Sequence, residues 1–300
     1  MVRVAILGSG PVAEGHAAAM LAQGPAVELL GVAEDGEPLL READAAVVAT
    51  APDRRAADAL RALELGCDIL VEPPGAEGLR AVQALAARTG RQPIVAVGHE
   101  TVYDPTLRAA RHLVGDGQII AVEAVRLEPF DDHPGHPDVV DDLLLGPLQV
   151  AMAIAGRPPA VTQAAGRQVR RGQGLDHVTS TLCFDDDLIA VLTAGRAGMR
   201  RAHRVVVETP LARVTADLLA GVVEAERDLP GRGVVVERPP VKATCARTAQ
   251  AAAFVRSCRD RRPASVGIGV GLALLEAAEL VRKRVALVAH RPGRGTLRAA

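Results

Sequence analysis

Five short runs of β-branched and aliphatic residues, VAIL from Val4, VELLGV from Val27, AAVVA from Ala45, DILV from Asp68 and IVAVG from Ile94, alternate with stretches of helical periodicity. In AADALRALELG, Ala57, Leu60, Leu63 and Glu64 recur at helical spacing and Gly66 supplies the stop. Such alternation implies a doubly wound parallel sheet with helices on both faces. From about residue 119 the texture changes. IIAVEAVRLEP, AVTQAAGRQVR, HVTSTLCF, LIAVLTAGR, HRVVVETP and ARVTAD follow one another across turn residues, with one strong helix, DDLLLGPLQVAMAIAG, among them. This reads as a largely antiparallel open sheet. TAQAAAFVRSCRD and GVGLALLEAAELVRKRV close the chain as helices. The expected fold class is α/β, with a first domain over 1–118, an α/β domain over 119–288 and a disordered Gly/Arg/Pro tail over 289–300.

Composition narrows the partners. Lys+Arg of 35 against Asp+Glu of 36 gives a net charge of −1, which argues against nucleic acid and against an anionic membrane surface. The 4 cysteines, Cys67, Cys183, Cys245 and Cys258, form no CxxC pair, which argues against a disulfide framework and fits a reducing cytoplasm. Aromatic content of 1% leaves little material for a sugar-stacking or base-stacking surface. MVRVAILG enters a strand pattern at once, and the apolar stretches elsewhere are short or interrupted by Glu276 and Glu279, so neither a signal peptide nor a membrane span is read.

The strongest local pattern is VAILGSGPVAEGHAAAM, a buried strand, then Gly8 and Gly10, then a helix opening through Pro11, Val12 and Ala13. Gly8 permits a tight turn, Gly10 lets backbone approach a pyrophosphate, and small Ala13 lets the helix pack close to the strand. Glu34 follows the second run, where a carboxylate binds the ribose hydroxyls of NAD and repels the phosphate of NADP. The bland reading is that Glu34, Asp35 and Gly36 only make a turn. With the glycines present, a Rossmann-type site for NAD or NADP is favoured, NAD ahead of NADP.

The segment DAAVVATAPDRRAADALRALELGCDILVEPPGA resembles the stretch from the fourth strand to the Glu-Lys-Pro motif of the glucose-fructose oxidoreductase and inositol dehydrogenase family. VGHETVYDPTLRAARHLVGDGQIIAVEAVR, DDLLLGPLQVAMAIAG and TLCFDDDLIAVLTAG resemble its later segments in order. The resemblance implies hydride transfer between a nicotinamide cofactor and a small carbonyl, imine or hydroxyl substrate, a homodimer, and cofactor contacts from Thr50 and Glu72. It also exposes departures. Where the family has its lysine the chain has Pro73, and the family's catalytic histidine aligns with Gly146. Asp142 alone is retained of that helix's polar set, and Ala51, Pro52 and Arg55 replace the usual Pro, Asn and His. The interval from Glu34 to Ala45 suits one crossover but no additional helix and strand, so the adenine-side edge strand is expected to be absent, with VELLGV exposed or covered by EPLLREAD.

With both family catalytic positions lost, the remaining catalytic candidates are His99, Tyr103 and Asp142. His99 follows IVAV directly, at the strand ends where such folds bind ligands, and an imidazole there could act as an acid near neutral pH or merely be satisfied by backbone. Tyr103 carries a phenol or packs. In DDHPGHPDVVDD, His133 and His136 with neighbouring aspartates could ligate a metal, but Asp138, Asp141 and Asp142 are also what a helix N-terminus prefers, and no metal is assigned. His16 and His177 read as structural and surface residues. A non-catalytic nucleotide sensor or interaction module is the alternative to an oxidoreductase.

Overall fold

The computed structural model describes residues 1–73, 75–115, 117–130, 137–169, 174–184, 188–242 and 244–289. Strands β1 (Val2–Leu7), β2 (Val27–Ala33), β3 (Ala45–Val48), β4 (Asp68–Val71) and β5 (Val95–Val97) form a parallel sheet in the order β2-β1-β3-β4-β5. Its crossovers are α1 (Gly10–Leu21), α2 (Glu37–Glu42), α3 (Arg55–Glu64) and α4 (Gly75–Ala86). The period of two along the strands divides the core. Val4, Ile6, Ala45 and Val47 face a cluster with Ala13 and Met20, whereas Ala5, Leu7, Ala46 and Val48 face Leu40, Ala59, Leu63 and Leu79.

Among the described residues no strand pairs outside β2. The EPLLREAD interval instead forms α2, burying Leu40 and laying Leu39 over Gly31, while Val32 on β2 is 43% exposed. A crossover this short reaches β3 only by a single brief helix, as its length predicted.

After α5 (Pro105–Val114) the chain builds a second sheet from β6 (Ala121–Pro129), with α6 (Leu145–Ala155) intervening before β7 (Ala160–Arg167), β8 (His177–Cys183) and β9 (Ile189–Gly198). It continues through β10 (Ala202–Glu208), β11 (Ala212–Asp217), β12 (Val222–Leu229) and β13 (Gly233–Glu237). The order is β13-β12-β11-β10-β6-β9-β8-β7, antiparallel except where β6 runs parallel to β9. The strands β12 and β13 are additions to the runs read from sequence. Two helices follow, α7 (Ala246–Asp260) and α8 (Ile268–Ala289).

The chain divides into one unit of Met1–Arg108 with Val241–Glu276 and another of Ala109–Pro240 with Ala277–Ala300. The consecutive stretches 1–118 and 119–288 do not describe this return. Its physical cause is that Ala251, Phe254, Val255 and Cys258 of α7 complete the cluster beneath β1 and β3.

The three aspartates before α6 do not cap it. The helix starts at Leu145 with no acid in its first turn. Asp138 instead accepts the Val140 and Leu175 amides, both at 2.8 Å, and lies 3.1 Å from Arg282, whose guanidinium also meets Asp141 at 2.5 Å. A short acidic side chain that bonds its own turn competes with the cap position, and here the turn wins. Asp131, Asp132, His133 and His136 of the candidate metal loop, Pro74, and residues 290–300 of the expected tail lie outside the described residues. Among the described residues no helix is long and apolar enough to cross a membrane.

Candidate functional site

The end of β1 turns through Gly8 into α1. Gly8 has φ +135°, its amide donates to Ala33 at 2.9 Å, and a Cβ there would stand 2.4 Å from the Ala49 carbonyl oxygen. Gly10, at φ +73°, has nothing within 4 Å of the Cβ position. Ser9 caps α1 with extended backbone but makes no side-chain capping bond, so the first amides of the helix keep their donors for a ligand. The Ser9 hydroxyl donates instead to the Glu34 carboxylate.

Gly8, Ser9 and Glu34 wall a cleft of about 290 Å³ that also takes in Pro11, Val12 and Thr50. The Thr50 hydroxyl is buried and has no partner among the described residues. A glycine turn, free helix-start amides, an unpartnered hydroxyl and a carboxylate at the end of the neighbouring strand suit a phosphorylated nucleoside with ribose hydroxyls. Sequence reasoning gave no role in this cleft to two arginines that line it. Arg54 lies 3.4 Å from the Glu34 carbonyl, and Arg55 donates to the carbonyls of Thr50 at 2.8 Å and Pro73 at 3.2 Å. Their signal was position: both follow β3 at the same sheet end as the glycine turn.

Farther along the strand ends, Glu72 follows β4 and its carboxylate lies 2.8 Å from His16 Nε2. His16 is 1% exposed, and its Nδ1 has no partner among the described residues. Gly98 after β5 makes room for the Glu72 side chain, since a Cβ there would lie 2.9 Å from its carboxyl carbon. His99 is buried beside them. Burial pushes its imidazole down to about 4, with the Glu72 charge pulling the other way, so it is uncharged at neutral pH.

Tyr103 donates or accepts a 2.7 Å hydroxyl bond with Ser265 and packs against the cluster beneath β4 and β5, and burial pushes its phenol up. Asp142 is in the second unit, ion-paired with Arg196, a buried guanidinium whose other arm donates to the Pro137 carbonyl at 2.7 Å. Gly146 is buried within α6. Asp142→Ala is expected to lower stability by about 2 kcal/mol in urea unfolding, less than a fully enclosed pair because water reaches the aspartate side. An unchanged midpoint would show that Arg196 does not need it.

No protein-family model matches the sequence, and no curated protein matches it. Solved structures do. UDP-N-acetylglucosamine 3-dehydrogenase from Acidithiobacillus ferrooxidans is similar at TM-score 0.86 and 24% identity, over 97% of this chain and 99% of that one. An oxidoreductase from Agrobacterium radiobacter in complex with NAD+, L-tartaric acid and magnesium matches at TM-score 0.80 and 12% identity, over 95% and 96%. A 3-ketoreductase from Actinomadura kijaniata in complex with TDP-benzene and NADP matches at 0.78 and 18%, over 94% and 97%. The chain thus has the two-sheet fold of oxidoreductases of the glucose-fructose oxidoreductase and inositol dehydrogenase type.

Proposed function

We infer that the protein binds a nicotinamide dinucleotide over Gly8, Gly10 and the start of α1 and acts as an oxidoreductase on a small carbonyl, imine or hydroxyl substrate. The cleft carries this reading, because Gly8, Pro11, Val12, Glu34 and Thr50 wall one space at the strand ends. The similar proteins named above, one holding NAD+ and another NADP, support it. In this reading the α1 amides hold the pyrophosphate, the open backbone at Gly10 admits it, Thr50 donates its unpartnered hydroxyl, and Glu34, steadied by Ser9, accepts from the adenosine ribose. The bound nicotinamide supplies or accepts the hydride. Two copies pairing through the open second sheet, where Ile189 and Val191 are 44% and 39% exposed, and residence in the cytoplasm complete the reading.

A sensor without turnover is the second reading, and the state of the three proton-donor candidates favours it. His99 is buried and uncharged, Tyr103 is engaged with Ser265, and Asp142 serves Arg196. Pro73 and Gly146 have no ionisable group to replace them.

The test is a thermal-shift and calorimetric titration with NAD+, NADH, NADP+ and NADPH, followed by an absorbance screen of polyols, sugars and cyclic imines. Ligand at a hundred times its dissociation constant adds about 2.7 kcal/mol to stability. No response to any of the four overturns the cofactor reading, and binding without turnover across the screen favours the sensor. Because Glu34 would repel a ribose phosphate, Glu34→Gln is expected to shift the NAD+ to NADP+ affinity ratio about tenfold toward NADP+. An unaltered ratio removes that role.

A further inference from the structure

We propose that Glu72, held in place by His16, meets the nicotinamide end of the cofactor and makes the site prefer the oxidised, positively charged ring over the reduced, neutral one. The inference rests on the cofactor reading above and deepens it.

Placement comes first. In the order β2-β1-β3-β4-β5, Glu34 follows β2 on one side of the glycine turn and Glu72 follows β4 on the other. A dinucleotide whose pyrophosphate lies at the start of α1 has two arms. With the adenosine arm at Glu34, the second arm crosses the ends of β3 and β4, where Glu72 stands.

Geometry and charge follow. The Glu72 side chain is 19% exposed, so a ligand can reach it, while the His16 imidazole behind it is 1% exposed. A proton on His16 Nδ1 would find no acceptor among the described residues, so Nε2 carries the ring proton and donates it to Glu72. Gly98 leaves the carboxylate its room. Nearby cations are engaged elsewhere: Arg55 on the carbonyls of Thr50 and Pro73, Arg247 at 3.1 Å from Glu100. Position 73, directly beside Glu72, is a proline and brings no ammonium. Among the described residues no arginine or lysine forms an ion pair with Glu72, and a carboxylate fixed in so poorly solvated a place attracts a positive ring more than a neutral one. His16 is therefore a positioning residue.

The experiment measures dissociation constants of NAD+, NADH and ADP-ribose, which lacks the nicotinamide, for the wild type, Glu72→Gln, His16→Phe and Glu34→Gln. Glu72→Gln is expected to weaken NAD+ about tenfold relative to NADH and to leave ADP-ribose within about twofold. His16→Phe should move the NAD+ to NADH ratio the same way by a smaller factor. Glu34→Gln, at the far arm, should leave that ratio alone. Unchanged ADP-ribose affinity also certifies that Glu72→Gln and His16→Phe are folded. A ratio unaltered in Glu72→Gln, or ADP-ribose binding lost along with it, overturns the proposal while the cofactor reading survives. If the wild type binds neither dinucleotide nor ADP-ribose, the cofactor reading fails, and this inference fails with it.

Discussion

Gly8→Ala is expected to lower the stability of the native protein by about 4 kcal/mol, at the upper end of what one substitution does. Two causes add. The residue sits at φ +135°, outside the reach of ordinary side chains, and the new methyl would meet the Ala49 carbonyl oxygen at 2.4 Å and its carbon at 2.7 Å. The obstruction is backbone and cannot swing aside. Nor can the turn shift cheaply, because the Gly8 amide is bonded to Ala33 and the Ala49 amide to Leu7, which ties the end of β1 to both neighbours. Gly10→Ala, with a positive φ but open space around it, is expected to cost only about 1 kcal/mol. If the proposed cofactor site is right, its methyl would stand where the pyrophosphate lies, and its loss would appear in dinucleotide affinity. Urea midpoints and NAD+ titrations of both variants separate the roles, and equal stability losses would refute the division.

Acid is expected to remove about 3 kcal/mol of stability between pH 6.5 and 4 through His99. Its folded pKa of about 4 lies below the ordinary 6.5 because burial disfavours the charged ring. Within that window the unfolded chain takes up a proton that the native one refuses, so stability rises with pH. The contribution is complete above 6.5 and gone below 4. His203, also pushed down to about 4 by burial, adds in the same direction. Urea midpoints at intervals from pH 7 to 4 measure the slope. His99→Gln should flatten it, and a slope as steep as that of the wild type would mean that His99 is not refusing the proton.

What could be read from residues alone was what depends on local period. Each of the five runs of the first half became a parallel strand, and AAVV and DILV, almost wholly apolar and buried at every position, suit only a sandwiched strand. The strand β12 escaped because VVEAERDL hides two buried residues, Val223 and Ala225, among outward Glu224 and Glu226, and so looked like a polar connection. In the site, Gly8, Glu34 and Thr50 come together as their positions at strand ends required. Pairings across long intervals left no such mark. The partner of Asp142 is Arg196 and that of His16 is Glu72, neither reachable by helical or strand spacing. One sign was available: Ala13, His16 and Met20 share a helical face, and an imidazole on an otherwise apolar face calls for a partner.

The return of residues 241–276 to the first unit sets an order on manufacture. On a ribosome adding about 5 to 20 residues per second, the five strands emerge well before the helix that covers one side of their sheet, a delay of roughly 7 to 30 seconds. During that wait the nascent chain shows Val4, Ile6, Ala45 and Val47 without Phe254 and Val255 to screen them. Translation halted before α7 would therefore yield a sticky fragment that calls on chaperones, and the unit that holds the cleft beside Gly8 and Glu34 would stay unfinished until α7 had emerged.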